Sequence, residues 1–325
     1  MHNNKLVSIG MPVYNGEETI ASALDSLLAQ TYRNFLLHIS DNCSTDNTGK
    51  ICERYAGLDD RISYTKNDSN IGGPANFNKL LQAANGELFM WAASDDIWDP
   101  QYIEELVGLL GDRTSTVFAF CAFDFFDRIT GCHFLRQDMS FLADLGSPFR
   151  WSTRFFLKPE GSRKEIAIYG IGRTDVMRQV GGLVPNAGGG LFDIENHALF
   201  SIGLIGGMAI SDRLLFHKSD RLYLAPDPCD SVLPMPAPRG EIINSLITYR
   251  ALISVSKFSS SKKTALHILA VVNFMRTLSG SVIETALQKW KEIPLVWRIY
   301  CWAEKRLQII HVLDDPSSSA IDRCR

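Results

Sequence analysis

The stretch "VSIGMPVYNGEETIASALDSLLAQTY", residues 7–32, changes its pattern halfway along. It begins with an apolar, β-branched run that is typical of a buried strand. Asn15-Gly16 ends that run, because this dipeptide favours a turn. Apolar residues then recur at the spacing of one helix face, at Ile20, Leu24, Leu27 and Leu28. A strand followed by an amphipathic helix is the repeating unit of a parallel α/β sheet.

The same alternation of strand and helix continues through residue 93. Strands are predicted for "FLLHIS", "ISYTKND" and "ELFMWAA", and helices for "GKICERYAGL" and "NFNKLLQAAN". Neighbouring parallel strands need a crossover connection, and each predicted helix supplies one. This part of the chain therefore predicts an α/β fold with a mostly parallel, doubly wound sheet.

The composition is that of an ordinary globular protein. The chain has 325 residues and a formal net charge of −3, so we expect no basic field for a nucleic acid. Its seven cysteines are odd in number and lack C-x-x-C spacing, which argues against a disulfide framework or a zinc site. The N-terminus has no signal-peptide pattern, and no apolar run reaches the roughly 18 residues of a membrane span. We therefore expect a soluble, cytoplasmic protein.

Polar residues and glycine follow each of the four predicted strands. They are Asn15 after the first strand, Asp41 at the end of the second, Asn70 and Gly72 after the third, and Asp95 and Asp96 after the fourth. The carboxyl ends of parallel strands meet at one edge, and ligands bind there in sheets of this kind. Adjacent carboxylates repel each other unless a cation lies near them. The sequence therefore predicts a ligand site with a cation at this edge.

Four motifs in this order and spacing resemble the N-terminal half of the inverting, metal-dependent family 2 glycosyltransferases. They are "VSIGMPVYNGEETIASALDSLLAQTY", "ISDNCSTDNT", "NIGGPANFN" and "WAASDDIWDP". The resemblance covers residues 5–105 and, more weakly, 165–225. It implies the GT-A nucleotide-diphospho-sugar transferase fold with a C-terminal helical extension. It also implies transfer of a sugar from a nucleoside-diphosphate sugar to an acceptor hydroxyl, in bacterial surface polysaccharide or glycan synthesis.

The resemblance also implies a set of residues that bind the nucleotide sugar. These are Pro12, Val13, Tyr14, Asn15, Asp41, Asn70, Gly72, Ser94, Asp95 and Asp96. Asp41 resembles the acid that accepts a hydrogen bond from the pyrimidine base, and Asn42 stands where relatives often carry a second acid. Tyr14 is expected to stack or pack against the base. The alternative is that these residues only end their strands.

The resemblance assigns Asp95 and Asp96 to a site for Mg²⁺ or Mn²⁺, which would bridge the protein and the diphosphate. Relatives write this motif as D-x-D or D-x-D-D, whereas Ala93 replaces the first acid here. The metal-ligand role carries over most directly to Asp95, while Ser94 or Asp96 contacts the ribose or supports the site. The alternative, taken without the resemblance, is that the pair caps the next helix.

The general base is expected in "GGGLFDIENHALF", residues 188–200. Asp193 matches the position of the relatives' catalytic acid better than Glu195, and both are candidates for taking the acceptor proton. Either acid alternatively only stabilises the N-terminus of the following helix. His217, Lys218 and Arg221 are candidate diphosphate contacts, or part of a solvated face.

The predicted domains are a catalytic domain and a helical region. Residues 133–165 are expected to be irregular, and 240–257, 262–289 and 294–313 to be helical. The aromatic and basic residues of the helices suit peripheral membrane contact at the inner face of the cytoplasmic membrane, near a lipid-linked acceptor. They equally suit packing on the catalytic domain or a second copy, and oligomeric state stays open. The predicted boundaries are 1–225 for the catalytic domain (halves 1–105 and 106–225), 226–239 for a proline-rich connector, 240–313 for the helices and 314–325 for a disordered tail.

Two other functions compete with glycosyl transfer. A nucleotidyltransferase would share an α/β sheet and acidic metal ligands, but it usually carries a glycine-rich basic loop after the first strand. The loop here, "NGEETI", is acidic. A non-catalytic protein that binds sugar nucleotides is the second alternative, because the first acid of the D-x-D motif is absent.

Overall fold

A computed structural model describes residues 4–112, 114–128, 130–144, 146–158, 163–187, 189–191, 193–219 and 239–278. The chain divides into two compact units, Met1–Phe274 and Met275–Arg325, and the first is described below. Of the predicted connector, only Arg239 is described. The helix predicted over 294–313 and the C-terminal tail lie outside the described residues. The predicted domain boundaries stay predictions.

The N-terminal half alternates strands and helices, as the sequence predicts. Its elements are β1 Val7–Val13, α1 Ile20–Leu28, β2 Phe35–Asp41, α2 Thr48–Ala56, β3 Ile62–Lys66, α3 Gly73–Ala83 and β4 Leu88–Trp91. β1 pairs in parallel with both β2 and β4, and β2 pairs in parallel with β3. The parallel, doubly wound part of the prediction is therefore confirmed.

The second half adds mostly antiparallel strands and further helices. Its elements are β5 Ile97–Trp98, α4 Tyr102–Leu110, β6 Thr116–Phe126, β7 His133–Gln137, α5 Pro148–Leu157, β8 Ile171–Arg173, α6 Thr174–Gln179, α7 Ile194–Ile205, β9 Gly207–Ser219, α8 Arg239–Val255 and α9 Ser260–Leu278. In the described chain, the strands form one mixed sheet in the order β3-β2-β1-β4-β8-β6-β9-β5, and β7 pairs with β6. β8 is antiparallel to both β4 and β6, so it joins the two halves.

The expectation that residues 133–165 are irregular is wrong, because they contain β7 and α5. Ser147 caps α5 by accepting a hydrogen bond from the Arg150 backbone N–H, and Pro148 occupies the first turn. Trp151 and Phe155, four residues apart, are both buried against the core. This i, i+4 aromatic pair is a helix signal that is present in the sequence, and the prediction of irregular chain overlooked it.

The core lies on both faces of the central strands. Every residue of β1 is buried, which is typical of a parallel strand covered by helices on both sides. α1 turns Ile20, Leu24 and Leu27 inward, as its periodicity predicts. Gly10 permits close packing of α3, since an added Cβ would lie 2.9 Å from the Leu80 Cβ. A larger residue at Gly10 would therefore push α3 away from β1.

The helical region begins as predicted and packs against the catalytic part. α8 lies against α7 through the Ser245 hydroxyl, 2.9 Å from His197 Nε2, and through the Tyr249 ring, which meets the His197 ring edge-on. α9 follows after a short break and is described to Leu278. Among the described helices, none is long and apolar enough to cross a membrane.

Candidate functional site

The ends of β1 and β2 are joined by hydrogen bonds that involve Asn15. Its backbone N–H donates to the Ser44 hydroxyl at 2.9 Å, and its side-chain oxygen accepts from the Thr45 N–H at 2.9 Å. Asn15 has a φ of 50°, a left-handed conformation that Asn tolerates better than most residues. The preceding residues Pro12 and Val13 are buried in β1, whereas Tyr14 is half exposed.

Asp41 is fully buried, and both of its carboxylate oxygens have partners within the protein. One oxygen accepts from the Ser44 N–H at 2.7 Å, and the other from the Tyr64 hydroxyl at 2.8 Å. Burial and this hydrogen bond raise the pKa of Tyr64. The structure therefore shows Asp41 as a brace between β2, its following loop and β3. The predicted contact of Asp41 with a base stays a prediction.

Asn42 fixes the loop that contains Asn70 and Gly72. Its amide group donates to Asn70 Oδ1 at 2.8 Å, and its oxygen accepts from the Ile71 N–H at 2.9 Å. Asn70 also accepts from the Gly72 N–H at 2.9 Å, and Gly72 has a φ of 85°, which favours glycine. Ile71 is left exposed at this edge. The loop is thus held with its glycine and an apolar side chain facing outward.

The adjacent acids Asp95 and Asp96 have opposite environments. Asp96 is fully buried, and its two oxygens both lie 3.0 Å from Lys218 Nζ. One of them also accepts from the Ser219 N–H at 3.0 Å. The Asp95 side chain is 39% exposed, and its nearest ion-pair partner in the described chain is Arg128 at 3.9 Å. Asp95 therefore has oxygens available for a hard cation, whereas those of Asp96 are occupied.

The different environments of Asp95 and Asp96 decide which of the two carboxylates fits the predicted metal ion. Mg²⁺ and Mn²⁺ prefer carboxylate oxygens and usually keep several waters, so a single exposed carboxylate beside a diphosphate suits them. Asp95 fits that role. Asp96 does not fit it in this arrangement, because a cation would have to displace the Lys218 ammonium. Ser94 directly precedes Asp95, and its hydroxyl lies 3.5 Å from the position of a Cβ added to Gly16, in the loop after β1.

Lys218 connects the buried acid to an aromatic ring. Its ammonium lies 4.9 Å from the centre of the Tyr169 ring, a cation–π distance. Burial opposes the charge on Lys218, but the Asp96 carboxylate, Tyr169 and Asp95 more than offset this and raise its pKa. Burial raises the pKa of Asp96, so this carboxylate depends on Lys218 to stay ionised. Lys218 is therefore a fixed positive charge close to Asp95.

Tyr169 is a member of the site that sequence reasoning missed. Burial raises its pKa to about 12; the charge of Lys218 opposes this shift, and those of Asp96, Glu195 and Asp95 add to it. Tyr169 therefore lies within the electrostatic reach of these four charges. It precedes the three-residue strand β8, which is too short to produce a pattern in the sequence. No signal in the chain alone points to Tyr169.

The two candidate bases face different neighbours. Asp193 has a φ of 67°, and its side chain accepts from Asn196 Nδ2 at 2.6 Å and from the Ser245 hydroxyl at 2.9 Å. Burial raises its pKa, while the hydrogen bond from Asn196 and the charge of Lys164 oppose that shift. Asp193 therefore ties the first turn of α7 to α8. The sequence predicts both Asp193 and Glu195 as candidate bases, and this role stays a prediction for each.

Glu195 instead belongs to the surroundings of Tyr169. Its charge acts on the Tyr169 hydroxyl, together with those of Asp95 and Asp96. Burial raises the pKa of Glu195, and the nearby charge of Asp193 adds to this effect. A raised carboxyl pKa makes the ionised form a stronger base.

The remaining predicted cations are separated. His217 precedes Lys218 on β9, but its ring contacts Asp124 at 2.7 Å and does not contact Asp96. Consecutive strand residues point to opposite faces, which explains the separation. Arg221 lies outside the described residues. Arg128, which sequence reasoning did not select, lies beside Asp95.

Comparison with known proteins bears on the family and on the fold. The pattern of "Glycosyl transferase family 2" matches residues 8–180, just over half of the chain. The Bacillus subtilis "Putative teichuronic acid biosynthesis glycosyltransferase TuaG" is 32% identical over 133 residues, which cover 41% of this chain and 49% of that protein. The Escherichia coli "UDP-Glc:alpha-D-GlcNAc-diphosphoundecaprenol beta-1,3-glucosyltransferase WfgD" is 38% identical over 106 residues, 32% of this chain and 41% of that protein. The match thus spans less than half of either relative.

Solved structures are similar over a larger share of the chain. The crystal structure of residues 1–349 of S. aureus TarS aligns with a TM-score of 0.61 and 17% identity, covering 85% of this chain and 72% of that one. TarS has also been solved in complex with UDP-GlcNAc. Together with the family match, this similarity confirms the predicted GT-A fold.

Proposed function

Because the chain belongs to glycosyl transferase family 2, we propose that it transfers a sugar from a nucleoside diphosphate to an acceptor hydroxyl with inversion. One observation carries the proposal. Asp95 is a partly exposed carboxylate at the carboxyl edge of the sheet, the next residue Asp96 holds Lys218, and the candidate base Glu195 acts as a negative charge on Tyr169, as Asp95 does. That arrangement offers separate groups for the diphosphate and for the acceptor.

The named activities of the relatives support the choice of substrates. WfgD is named for transfer from UDP-glucose to a lipid-linked sugar, and TuaG for teichuronic acid biosynthesis. We infer a nucleoside-diphosphate sugar donor and a glycan or lipid-linked acceptor for this chain, in surface polysaccharide synthesis. Work on such an acceptor would take place at the cytoplasmic side of a membrane, and the basic, aromatic C-terminal residues suit that location.

The donor diphosphate would lie between Asp95 and Lys218. Asp95 would hold Mg²⁺ or Mn²⁺, which when bound neutralises the diphosphate and stabilises it as a leaving group. Lys218 would supply a second positive charge whose position is fixed by Asp96 and the Tyr169 ring. A charge held in place before the reaction costs little reorganisation when negative charge develops on the leaving group.

The nucleotide would lie at the ends of β1 and β2. Tyr14 is half exposed there and presents a ring face on which a base can stack. The backbone at Pro12–Asn15 and at Gly72 can approach the base and ribose closely. Asp41 would act by holding the Ser44 loop and Tyr64 in place. In this assignment Ser94 and Asn70 complete the surface that contacts the donor.

The acceptor would be activated by Glu195. Its carboxylate would take the proton of the acceptor hydroxyl as the oxygen attacks the anomeric carbon on the face opposite the diphosphate. The bond to the diphosphate oxygen breaks and its electron pair leaves with the diphosphate, so the anomeric configuration inverts. Asp193 would position Glu195 by fixing the first turn of α7 to Ser245.

The direct test is donor turnover by an Asp95→Asn variant in the presence of Mn²⁺. We expect the wild-type protein to release nucleoside diphosphate from a UDP-sugar panel, and the variant to lose turnover by at least about 10²-fold. Asp112→Asn is the matched control, because this acid is exposed and forms a surface ion pair with Lys5. Full turnover by Asp95→Asn would contradict the proposal. Release of sugar 1-phosphate with transfer of the uridylyl group would indicate a nucleotidyltransferase, and binding without release a non-catalytic protein.

A further inference from the structure

Three strands bring two histidines and an aspartate together on the face of β9 opposite Lys218. Asp124 lies on β6, His133 on β7 and His217 on β9. His217 Nδ1 lies 2.7 Å from one Asp124 oxygen, and His133 Nδ1 lies 3.0 Å from the other. One potential ligand atom from each side chain lies within 4.8 Å of the other two. The proposed transfer reaction uses none of these three side chains.

The carboxylate in this cluster is buried and needs a positive partner. The Asp124 side chain is 6% exposed, and its ion-pair partners in the described part of the chain are the two imidazoles. A buried carboxylate is costly unless a cation or hydrogen-bond donors compensate it. Each neutral imidazole can supply one donor, whereas a divalent ion between the three groups would neutralise the charge directly. The cluster therefore has the electrostatics of a cation site.

His217 also has the outer contact that metal-binding histidines usually show. Its second nitrogen, Nε2, lies 3.4 Å from Asp99 Oδ1. Histidines that bind metals commonly direct their other ring N–H to a carboxylate or carbonyl, which fixes the tautomer and leaves the inner nitrogen for the ion. Asp99 is well placed to hold the proton of His217 on Nε2. Without an ion Nδ1–H donates to Asp124, and when an ion displaces that proton the Nδ1 lone pair is available to bind it.

The scaffold keeps the three groups together without a ligand. Asp124 and His217 are direct neighbours in the parallel register of β6 and β9, and His133 pairs with Phe126 at the end of β6. The rings of His133 and His217 meet edge-on with their centres 4.8 Å apart. His133 is half exposed, so an ion can enter from solvent and keep water ligands. Sites built on strands are positioned more firmly than sites on loops.

We propose that Asp124, His133 and His217 bind a divalent transition-metal ion of the zinc type, at a site separate from Asp95. Two imidazoles and one carboxylate suit Zn²⁺ and its neighbours, whereas Mg²⁺ prefers oxygen ligands alone. The ion takes the place of the Nδ1 protons, which pass to solvent. The site uses no cysteine, so the argument from cysteine spacing does not apply to it. The ion links β6, β7 and β9, and its ligand His217 directly precedes Lys218 on β9.

The test is a calorimetric titration of tag-free, chelator-treated full-length protein with ZnCl₂. We expect one strong site in the wild-type protein and at least a 10-fold weaker one in His133→Ala, since loss of one ligand exceeds the 10–100-fold cost of losing an outer contact. His133 is half exposed, so its replacement should leave the fold intact, which the melting temperature without metal checks. His267→Ala on α9 is the matched control and should bind Zn²⁺ like the wild-type protein.

Two further measurements decide where the ion binds. Asp95→Ala should keep the Zn²⁺ affinity of the wild-type protein, whereas loss of binding there would move the ion to the donor site and overturn the proposal. Saturating Zn²⁺ should raise the melting temperature of the wild-type protein and raise it less in His133→Ala. The proposal is also overturned if the wild-type protein shows no Zn²⁺ site, or if His133→Ala binds Zn²⁺ equally tightly. In either of those cases the cluster is a hydrogen-bonded trio only.

Discussion

The two sides of the site differ in how their polar groups are used. On the nucleotide side, at the ends of β1 and β2, Asp41 and Asn42 are buried and spend their hydrogen bonds within the protein. On the catalytic side, which holds Asp95 after β4 and Glu195 in the first turn of α7, the Asp95 side chain is 39% exposed and burial raises the pKa of Glu195. Buried polar networks of the first kind shape a surface. An exposed carboxylate such as Asp95 can take up a metal ion, and a carboxylate with a raised pKa such as Glu195 can take up a proton.

The same contrast between available and occupied polar groups separates two adjacent residues. Asp95 and Asp96 are neighbours in the chain, yet the Asp95 side chain is 39% exposed whereas Asp96 is buried in an ion pair with Lys218. A motif in the sequence therefore does not assign the same role to both of its acids. Burial and partners decide which carboxylate is available.

The largest effect on stability is expected from breaking the ion pair between Asp96 and Lys218. Lys218→Met would leave the fully buried Asp96 carboxylate without its cation, which costs about 3–5 kcal/mol of unfolding free energy. Urea denaturation measures this loss. The double variant with Asp96→Asn should recover much of it, because the uncompensated charge is then gone. A Lys218→Met variant as stable as the wild-type protein would show that Asp96 is not held by this pair.

A smaller effect, on nucleotide affinity, is expected from replacing Tyr14, whose half-exposed ring lies on the nucleotide side. Tyr14→Ala should weaken binding of a nucleoside diphosphate by about 1–3 kcal/mol, the range for loss of base stacking on an aromatic ring. Isothermal calorimetry with UDP measures this affinity. Tyr32→Ala is a control outside this edge, because Tyr32 is at the opposite end of the sheet, with its hydroxyl on the Lys5 carbonyl. Equal affinity of Tyr14→Ala and the wild-type protein for UDP would place the base elsewhere.

The pH dependence of turnover sharpens the assignment on the acceptor side. Burial raises the pKa of Glu195, and only the ionised carboxylate can accept a proton. The rate kcat/KM should therefore fall as the pH decreases through this raised pKa, at a pH above the ordinary range of a glutamate. The acid limb should be absent from the residual activity of Glu195→Gln. An unchanged acid limb in that variant would assign the titration to another group.

The sequence predicts the first half of the fold well because its signals are local. β1 and α1 follow from the change of period near Asn15, and the parallel sheet follows from repeated crossovers. The strand ends also bring the predicted donor residues to one edge, since parallel strands share a direction. Sequence reasoning missed α5, although its N-cap Ser147 and the i, i+4 spacing of Trp151 and Phe155 are local helix signals.

Two features of the site depend on contacts that no local pattern contains. Tyr169 enters the site because β8 runs antiparallel between β4 and β6, and a three-residue strand leaves no periodic signal. The preference for Asp193 over Glu195 came from matching motif positions. That match does not include α8, whose Ser245 engages Asp193 from more than fifty residues away.

The most direct test of the account compares Glu195→Gln with Asp193→Asn. The account predicts that Glu195→Gln lowers kcat by about 10²–10⁴-fold while the donor Kd stays near the wild-type value, because a base acts only in the transition state. Asp193→Asn should mainly lower the free energy of unfolding and reduce kcat less, since its amide keeps only one of the two oxygens that accept hydrogen bonds from Asn196 and Ser245. Stopped transfer in Asp193→Asn with normal stability and donor binding, beside near-normal kcat in Glu195→Gln, would contradict the account.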